Sequence, residues 1–397
     1  MSRAAMREAV AAVPVRGSKA EWMSVRFDQM AENVVDRVHP RDAKTEYYIG
    51  LEHLDSDSLK IQRWGTPDEV DSTKFRFRRG DIIFGKRRSY QRKLGVAEFD
   101  GICSAHAMVL RAKEDVIAKE FLPVFMQSDL FMERALAISV GSLSPTINWK
   151  TLARQEFRLP PIHEQRRIAE ILWAASEEIN ALDAILAALN FGRKVLVGES
   201  TARGKRKGWR LRRLVDCFTI VSGQVKPTEE PYRSMPLVAP NHIEQGTGRL
   251  LGIETSAQQN AISGKYLFKP GDVIYSKIRP NLRKATLVDF QGVCSADMYA
   301  FRAIPEIVIP SYLIALILGD DFSEFAESRS VRTGIPKINR EELGEYEVMI
   351  PPINEQRSIC EVLRKFDTCD RRVNSQISET KKLKTHLINQ LFASNGI

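Results

Sequence analysis

The chain contains an internal repeat, which limits its possible folds more than any other feature. The segment FRRGDIIFGKRRSYQRKLGVAEFDGICSAHAMVLRA, beginning at Phe77, aligns without a gap with FKPGDVIYSKIRPNLRKATLVDFQGVCSADMYAFRA, beginning 191 positions later at Phe268. The same offset relates LPPIHEQRRI at Leu159 to IPPINEQRSI at Ile350. Solenoid repeats run to roughly 20 to 50 residues, so a repeat of about half the chain predicts two related domains, each followed by a helix.

Each half mixes strand and helix patterns. GDIIFGKR, LGVAEF and ICSAHAMVLR have the β-branched and aromatic content or the alternation expected of three strands. Asp100 and Gly101 predict a hairpin turn, and Gly292 at the matching position is expected to take the same positive φ. Residues 118–136 and 309–327 have helical patterns. The predicted fold class is therefore mixed α/β (α+β), with two homologous globular domains related by a pseudo-two-fold repeat.

A long segment with helical periodicity follows each Pro-Pro pair. In the first, apolar residues recur at spacings of four and three: Ile168, Leu172, Ala175, Ile179, Leu182, Leu186 and Leu189. The second carries a less regular seam: Ile359, Leu363, Phe366, Val373 and Ile377, then Leu383, Leu387 and Leu391, with Asp370 as an interruption. Each helix could pack on its own domain, but pairing buries both stripes at once. We expect two long antiparallel coiled-coil helices that separate the domains.

The charge balance favours a polyanionic partner. Lys and Arg total 59 against 50 Asp and Glu, a formal net charge of +9. The five cysteines include no CxxC pair and no histidine at zinc-finger spacing, so no disulfide framework or metal site is expected. No apolar stretch approaches the 18 or so residues that span a bilayer, and we expect a cytoplasmic protein with no membrane partner.

Basic residues concentrate in one loop of each half. Nine lie between Lys74 and Lys93 against a single acid, Asp81, and the loop that follows GDIIFG carries most of them. The predicted DNA-binding residues are Lys86, Arg87, Arg88, Tyr90, Gln91, Arg92 and Lys93 in the first half, and Lys277, Arg279, Asn281, Arg283 and Lys284 in the second. The alternative is that the matching cations form a solvated rim.

A third basic run lies at the junction with the second half: Arg203, Lys205, Arg206, Lys207, Arg210, Arg212 and Arg213. Two interpretations remain open, contact with backbone phosphates or a flexible linker.

No catalytic constellation is evident in the sequence. Cys103-Ser104-Ala105 and Cys294-Ser295-Ala296 are expected inside an apolar strand, without a matching His and carboxylate, so a nucleophile is rejected. A GxxxxGK[ST] phosphate loop is absent, as is a glycine-rich loop followed by Asn/Asp-Pro-Pro-Tyr/Phe. The sequence therefore predicts no catalytic and no metal residues.

The repeat, YIGLEHL, GDIIFGKRRSYQRK, FDGICSAH and the helix starts LPPIHEQRRIAEIL and IPPINEQRSICEVL together resemble the specificity subunit of a type I restriction-modification system. The resemblance covers nearly the whole chain after residue 20, and the first 20 residues match nothing recognisable. It implies a non-catalytic reader of split double-stranded DNA targets that binds modification (methyltransferase) subunits, two in number, and restriction/translocase subunits. It also implies that S-adenosylmethionine and ATP bind those partners rather than this chain.

The resemblance divides the chain into four parts. Residues 1–160 form the first target-recognition domain and 161–200 the central spacer helix; 201–350 form the second target-recognition domain and 351–397 the distal spacer helix. Three other functions remain as alternatives: a reader for a methylation-only system, a basic scaffold or RNA-binding protein, and a cryptic nuclease.

Overall fold

The computed structural model describes residues 22–56, 58–201, 207–330 and 334–392. The chain divides into two compact units: unit 1 is Met1–Ala184 with Asn374–Ile397, and unit 2 is Ile185–Val373. No helix in the described ranges has the length and apolar content needed to cross a bilayer.

Within the described residues, unit 1 has ten strands and four short α-helices before its long helix. The strands are β1 (Met23–Arg26), β2 (Ala31–Val34), β3 (Arg37–Val38), β4 (Tyr48–Ile49), β5 (Lys74–Phe77), β6 (Ile82–Gly85), β7 (Leu94–Val96), β8 (Gly101–Cys103), β9 (Ala107–Ala112) and β10 (Glu156–Leu159). The helices are α1 (Phe27–Met30), α2 (Phe121–Met126), α3 (Asp129–Ala137) and α4 (Trp149–Leu152), after which the chain enters the long helix α5 (Ile162–Thr201).

Unit 2 repeats this order with one additional strand, β15, and with a 3-10 turn, Leu214–Cys217, in place of α1. Its strands are β11 (Arg210–Arg213), β12 (Phe218–Ile220), β13 (Gln224–Val225), β14 (Pro236–Val238), β15 (Glu254–Thr255), β16 (Lys265–Phe268), β17 (Val273–Ser276), β18 (Ala285–Leu287), β19 (Gly292–Cys294), β20 (Met298–Ala303) and β21 (Glu347–Ile350). Its helices are α6 (Pro310–Leu318), α7 (Asp320–Arg329) and α8 (Arg340–Leu343), followed by the long helix α9 (Ile353–Phe392).

The sheets of the two units have the same strand order, with one additional edge strand, β15, in unit 2. Unit 1 has sheets ordered β2-β9-β6-β7 and β3-β5-β8-β4, and unit 2 has β12-β20-β17-β18 and β13-β16-β19-β14-β15. The registers agree as well, because Ile82 pairs with Leu110 as Val273 pairs with Phe301. The mixed α/β fold and the internal repeat predicted from the sequence are thereby confirmed.

The central strand of each unit has two buried faces. In β6, Ile82 and Phe84 join the cluster that contains α2 and α3, whereas Ile83 joins the cluster of the second sheet. Successive side chains of a strand point to opposite faces, so one strand separates a helix-side core from a sheet-side core. This burial explains why GDIIF reads as a continuous apolar run rather than an alternating one.

The structure corrects the predicted third strand, ICSAHAMVLR. It forms two strands, β8 and β9, separated by a turn at Ser104–His106 in which the Ala107 N–H donates to the Ser104 carbonyl at 2.9 Å. The chain changes sheets there, because β8 pairs with β5 while β9 pairs with β6. Ser104 and Ala105 therefore lie in a turn and not inside a strand.

The hairpin predicted at Asp100-Gly101 is also wrong. Gly101 is the first residue of β8, which pairs with β5 and β4 rather than with β7, and neither Gly101 nor Gly292 has a positive φ. A Cβ on Gly101 would lie 2.6 Å from the Phe77 ring, and one on Gly292 would lie 2.6 Å from the Phe268 ring. Glycine is required at both positions by close packing.

The two long helices contact each other within each unit. In unit 1, Ile168 and Leu172 of α5 share a core cluster with Leu387 and Leu391 of α9. Further along the same unit, the Gln376 Nε2 donates to the Glu178 Oε1 at 2.9 Å, so the helices run in opposite directions here. In unit 2, Arg193 of α5 forms an ion pair of 2.5 Å with Asp367 of α9.

One buried glutamine attaches each long helix to its sheet domain. The Gln165 Oε1 accepts from the Ala118 N–H at 2.9 Å, and its Nε2 donates to the Pro160 carbonyl at 2.9 Å. Gln356 repeats both contacts, with the Ile309 N–H and the Pro351 carbonyl. The glutamine of the PPIxEQR motif therefore satisfies buried backbone groups where each helix begins.

Candidate nucleic-acid interface

The basic loop of each unit has an unusual backbone. In unit 1 a short 3-10 turn, Ser89–Gln91, lies between Arg88 (φ 55°) and Arg92 (φ 52°). In unit 2 the turn Pro280–Leu282 lies between Arg279 (φ 48°) and Arg283 (φ 47°). The left-handed region is unfavourable for a side chain such as arginine and persists only where the surroundings fix it. Both loops are therefore held in one defined conformation.

Backbone hydrogen bonds fix each loop from two sides. In unit 1 the Lys86 N–H donates to the His106 carbonyl at 3.1 Å, and the Arg88 N–H donates to the Pro145 carbonyl at 2.8 Å. In unit 2 the Lys277 N–H donates to the Asp297 carbonyl at 3.0 Å, and the Arg279 N–H donates to the Pro336 carbonyl at 2.8 Å. Because the loop is already ordered, binding a ligand through its side chains costs little further conformational entropy of the backbone.

The last lysine of each loop donates a hydrogen bond to a backbone carbonyl of its own unit. The Lys93 Nζ donates to the Leu51 carbonyl, and the Lys284 Nζ donates to the Pro240 carbonyl, both at 2.7 Å. Each carbonyl belongs to a short 3-10 turn that a histidine closes. The His53 Nδ1 accepts from the Gly50 N–H at 3.0 Å, and the His242 Nδ1 accepts from the Ala239 N–H at 3.1 Å.

The second arginine of each loop is anchored on the helix side. The Arg92 guanidinium pairs with Asp129 at 2.7 Å and donates to the Gln127 carbonyl at 2.9 Å. In unit 2, Arg283 pairs with Asp320. The Arg283 guanidinium is the main cause of the lowered pKa of the Asp320 carboxyl.

The first lysine of each loop is half-buried over an aromatic ring. The Lys86 Nζ lies 5.6 Å from the Phe75 ring centroid, and the Lys277 Nζ lies 5.1 Å from that of Tyr299. Burial lowers the pKa of both ammonium groups. Three basic positions are therefore shared by the two loops, those of Lys86, Arg92 and Lys93. In both units the side chains at these positions make contacts within their own unit.

The remaining predicted residues face solvent. Arg87 and Arg88 are exposed, the Tyr90 side chain at the loop tip is 54% exposed, and Gln91 is partly exposed. In unit 2 the exposed residues are Arg279 and Asn281. The exposed set differs between the units, since Arg87 corresponds to Ile278 and Tyr90 to Asn281. These side chains have donors, acceptors or ring faces available to a ligand.

Sequence reasoning missed one residue beside each loop. His106, in the turn after β8, is exposed, and the Arg87 Nη1 lies 3.1 Å from its Nε2. Burial of the ring, and then the charges of Arg87, Lys86 and Lys74, lower the pKa of His106. Asp297 occupies the same position in unit 2. The available signal was the exchange of His for Asp inside an otherwise matching CSA segment.

The cysteines have properties of core thiols. Cys103 and Cys294 are buried, and desolvation raises the pKa of each thiol to about 12. A thiol with such a pKa is protonated at neutral pH and is a poor nucleophile. Among the residues that the structure describes, no group of three or more His, Cys, Asp or Glu is arranged to hold a metal ion.

The third basic run lies only partly within the described residues. Arg203, Lys205 and Arg206 fall outside them, as do the first 20 residues of the chain. Lys207 is exposed, and Arg210, Arg212 and Arg213 lie on β11, where Arg213 pairs with Asp216 at 2.9 Å.

Comparisons with known proteins point to one family. The family model of the type I restriction modification DNA specificity domain matches residues 55–190 and 206–381. The specificity subunit of the type I restriction enzyme EcoDI from Escherichia coli is 35% identical over 159 residues, which are 39% of this chain and 35% of that protein. The HindI specificity subunit from Haemophilus influenzae is 29% identical over 124 residues, 29% of this chain and 26% of that protein. The matches thus span about a third of these relatives.

Solved structures share the fold. A chain from a structure concerned with complex assembly and conformational transition of the type I R-M system aligns with a TM-score of 0.56 and 21% identity, covering 94% of this chain and 97% of that chain. The type I S subunit from M. genitalium aligns with a TM-score of 0.59 and 14% identity, covering 94% and 96%. Because the family model matches most of both repeats, this chain belongs to the family of type I restriction-modification DNA specificity subunits.

Proposed function

We propose that this chain reads a bipartite sequence in double-stranded DNA and directs partner subunits to it. In this proposal residues 1–160 and 201–350 are the two target-recognition domains, and residues 161–200 and 351–397 are the spacer helices between them. The observation that carries the proposal is the pair of basic loops, which have the same rigid backbone and different exposed side chains. Such a pair suits two different half-sites, because phosphate contacts position a protein while base contacts specify the sequence.

The predicted DNA-binding residues divide into two roles under this proposal. The exposed residues Arg87, Arg88 and Tyr90, together with Arg279 and Asn281, contact the duplex. Lys93, Lys284, Arg92 and Arg283 hold the loops through carbonyls and carboxylates, as their distances indicate. Lys86 and Lys277 add positive potential from half-buried positions.

We further propose that this chain has no catalytic activity of its own. Its relatives are named as specificity subunits of type I restriction enzymes. By this likeness, modification subunits would supply S-adenosylmethionine-dependent methylation, and restriction subunits would supply ATP-driven cleavage. Exposed apolar side chains on the long helices offer a docking surface for such partners: Ile185, Phe191 and Val195 on α5, and Val362 on α9.

The spacing between half-sites tests the proposal. Four residues inserted after Ala184 in α5 and four after Val373 in α9 lengthen the helix pair at the boundary between the units. Four helical residues add about 6 Å, and base pairs rise by about 3.4 Å, so the unread gap should grow by one or two base pairs. The measurement is methylome sequencing of cells that carry the chain with its methyltransferase partner.

The expected motif keeps both half-sites and changes only the gap. A variant with four residues inserted after Gly252, in an exposed coil of unit 2 outside the long helices, serves as a control and should leave the gap as it was. A single unsplit motif for the unaltered chain, or a gap that ignores the insertion, would overturn the proposal.

A further inference from the structure

We propose that one base pair in each half-site is read by two side chains: Arg87 and His106 in unit 1, and Ile278 and Asp297 in unit 2. The unit 1 pair selects a base that accepts hydrogen bonds, and the unit 2 pair selects a base that donates them. Unit 1 would select the acceptor edge of guanine in the major groove, and unit 2 a base whose exocyclic amino group lies in the major groove, cytosine or adenine. The inference rests on the proposed function, which it deepens by naming the chemistry of the bases.

The two positions adjoin each other at the edge of the basic loop. The Lys86 and Arg87 N–H groups donate to the His106 carbonyl at 3.1 and 3.3 Å, so the turn after β8 is joined to the start of the loop. The same junction exists in unit 2, where the Lys277 N–H donates to the Asp297 carbonyl. His106 and Asp297 are both exposed. Each pair of side chains therefore lies beside the exposed arginine at 88 or 279.

In unit 1 the two side chains present donors. A guanidinium has only donors, so the contact of 3.1 Å between the Arg87 Nη1 and the His106 Nε2 makes the histidine nitrogen the acceptor. The ring proton then lies on Nδ1, and the lowered pKa of His106 agrees with a neutral ring. His106 acts as a positioning residue that orients Arg87. The remaining guanidinium N–H groups are free to bind guanine O6 and N7.

In unit 2 the side chains present an acceptor and an apolar surface. The Asp297 side chain offers acceptor oxygens, and Ile278 stands where unit 1 has Arg87. The ammonium groups of Lys265 and Lys277 lie near the Asp297 charge. Burial over Tyr299, and then the charge of Lys337, lower the pKa of Lys277 despite the nearby Asp297 carboxylate. Carboxylates accept from the cytosine N4 amino group, and a carboxylate opposite guanine O6 would face an acceptor without a shared proton. The isoleucine has no polar group, so the Asp297 carboxylate sets the hydrogen bonding at this pair.

A reciprocal exchange tests the inference. One variant carries Arg87→Ile with His106→Asp, and the other carries Ile278→Arg with Asp297→His, each in the full chain with its methyltransferase partner. Methylation is measured on a duplex library in which both half-sites are randomised. We expect each exchange to change the preferred base at one position of one half-site by roughly 10- to 100-fold, with the other half-site unchanged.

Two single substitutions keep the test decisive if a double variant does not fold. Arg87→Lys retains the charge and removes the planar fork, so the preference for guanine should fall by about 10-fold at one position. Arg79→Ala removes a comparable exposed cation at the β5–β6 turn and should leave the motif unchanged.

The outcomes separate the inference from the function on which it rests. If the unaltered chain yields no split motif, the proposed function fails. If it yields a split motif and the exchanged or lysine variants lower methylation equally at all sequences, these side chains contact phosphates, and the inference is overturned while the function stands. A base change confined to one position of the expected half-site supports both.

Discussion

The loops at residues 86–93 and 277–284 share one backbone conformation but expose different side chains. Both use a pair of left-handed arginines, a lysine bound to a carbonyl and an arginine bound to the carboxylate that begins α3 or α7. They differ at Arg87 and Ile278 and at Tyr90 and Asn281 on the loop surface, and also at the buried turn residues Ser89 and Pro280. The comparison teaches that the shared arginine and lysine contacts keep one loop conformation through a change inside the turn, while the surface offered to a ligand differs.

The ends of the long helices show a second difference between the units. In unit 1, α9 contributes Leu387, Leu391 and Phe392 to the core, and the Phe392 ring lies 5.3 Å from that of Phe125. In unit 2 the matching part of α5 places Val197 and Gly198 beside a cavity of about 640 Å³. Lys194 of that segment instead pairs with Asp320 at 3.3 Å. The helix contact is mainly apolar in unit 1 and more strongly ionic in unit 2.

The largest expected effect on stability comes from the buried glutamines. Gln356→Leu leaves the Ile309 N–H and the Ile307 and Pro351 carbonyls without their partner, and should lower the free energy of unfolding by roughly 3 to 5 kcal/mol. Gln165→Leu removes two such bonds and should cost about 2 to 4 kcal/mol. Differential scanning calorimetry of the full chain measures both losses.

The exposed neighbours Arg166 and Arg357 provide matched controls for the glutamines. Arg166→Ala and Arg357→Ala change the same helical turns without touching the buried groups, and should shift the melting temperature little. Glutamine variants as stable as these controls would contradict the interpretation that the PPIxEQR motif attaches helix to domain.

Close packing at the paired glycines gives a smaller effect. Gly101→Ala and Gly292→Ala each add a Cβ within 2.6 Å of a phenylalanine ring atom, so the ring or the strand has to shift. Overpacking of this kind costs about 1 to 3 kcal/mol, and we expect similar losses in the two units. Gly80→Ala tests the alternative cause, because Gly80 has a φ of 92° and an open surrounding.

The result for the glycines distinguishes packing from backbone conformation. If Gly101→Ala is tolerated and Gly80→Ala is not, left-handed strain dominates and the matched packing is unimportant. Thermal unfolding of the three variants under one condition makes this comparison.

The parts of the fold that could be predicted are those in which a sequence pattern repeats at a regular spacing. The repeat at a fixed offset identified the two homologous domains, and the alternating spacings of Ile168, Leu172 and Ala175 identified the long helix, whose seam is buried in unit 1. The apolar pattern did not indicate that the chain changes sheets at Ser104. The strands on both sides of this turn are apolar, so the segment looks like one continuous strand. The turn therefore became visible only from the pairing of β8 and β9.

The candidate site was predictable by location but not by role. Charge density indicated the loop, yet it could not tell Lys93, which binds a carbonyl, from Arg88, which faces solvent. Partners distant in sequence decide that difference: Leu51 for Lys93 and Asp129 for Arg92. His106 escaped notice because its closeness to Arg87 arises from the junction of a turn and a loop 19 residues apart.

The smallest expected effect on stability comes from the protonation of His106. In unit 2 the corresponding residue is Asp297. Burial and then Arg87, Lys86 and Lys74 hold the pKa of His106 below its ordinary value of 6.5. The unfolded chain therefore takes up this proton first as the pH falls through 6.5, so acid should slightly destabilise the fold. Histidine-selective NMR titration, assigned with His106→Gln, should find the lowered pKa, and Arg87→Ile should raise it.

The Arg87→Ile titration also sharpens the comparison between the two loops. Removal of the guanidinium takes away both a positive charge and the donor to Nε2, and each of these favours the neutral ring. Arg79→Ala removes a cation that does not contact His106 and should leave its titration unaltered. If the His106 pKa stays the same in Arg87→Ile, the two side chains do not act as a pair in solution, and the donor character assigned to unit 1 loses its geometric basis.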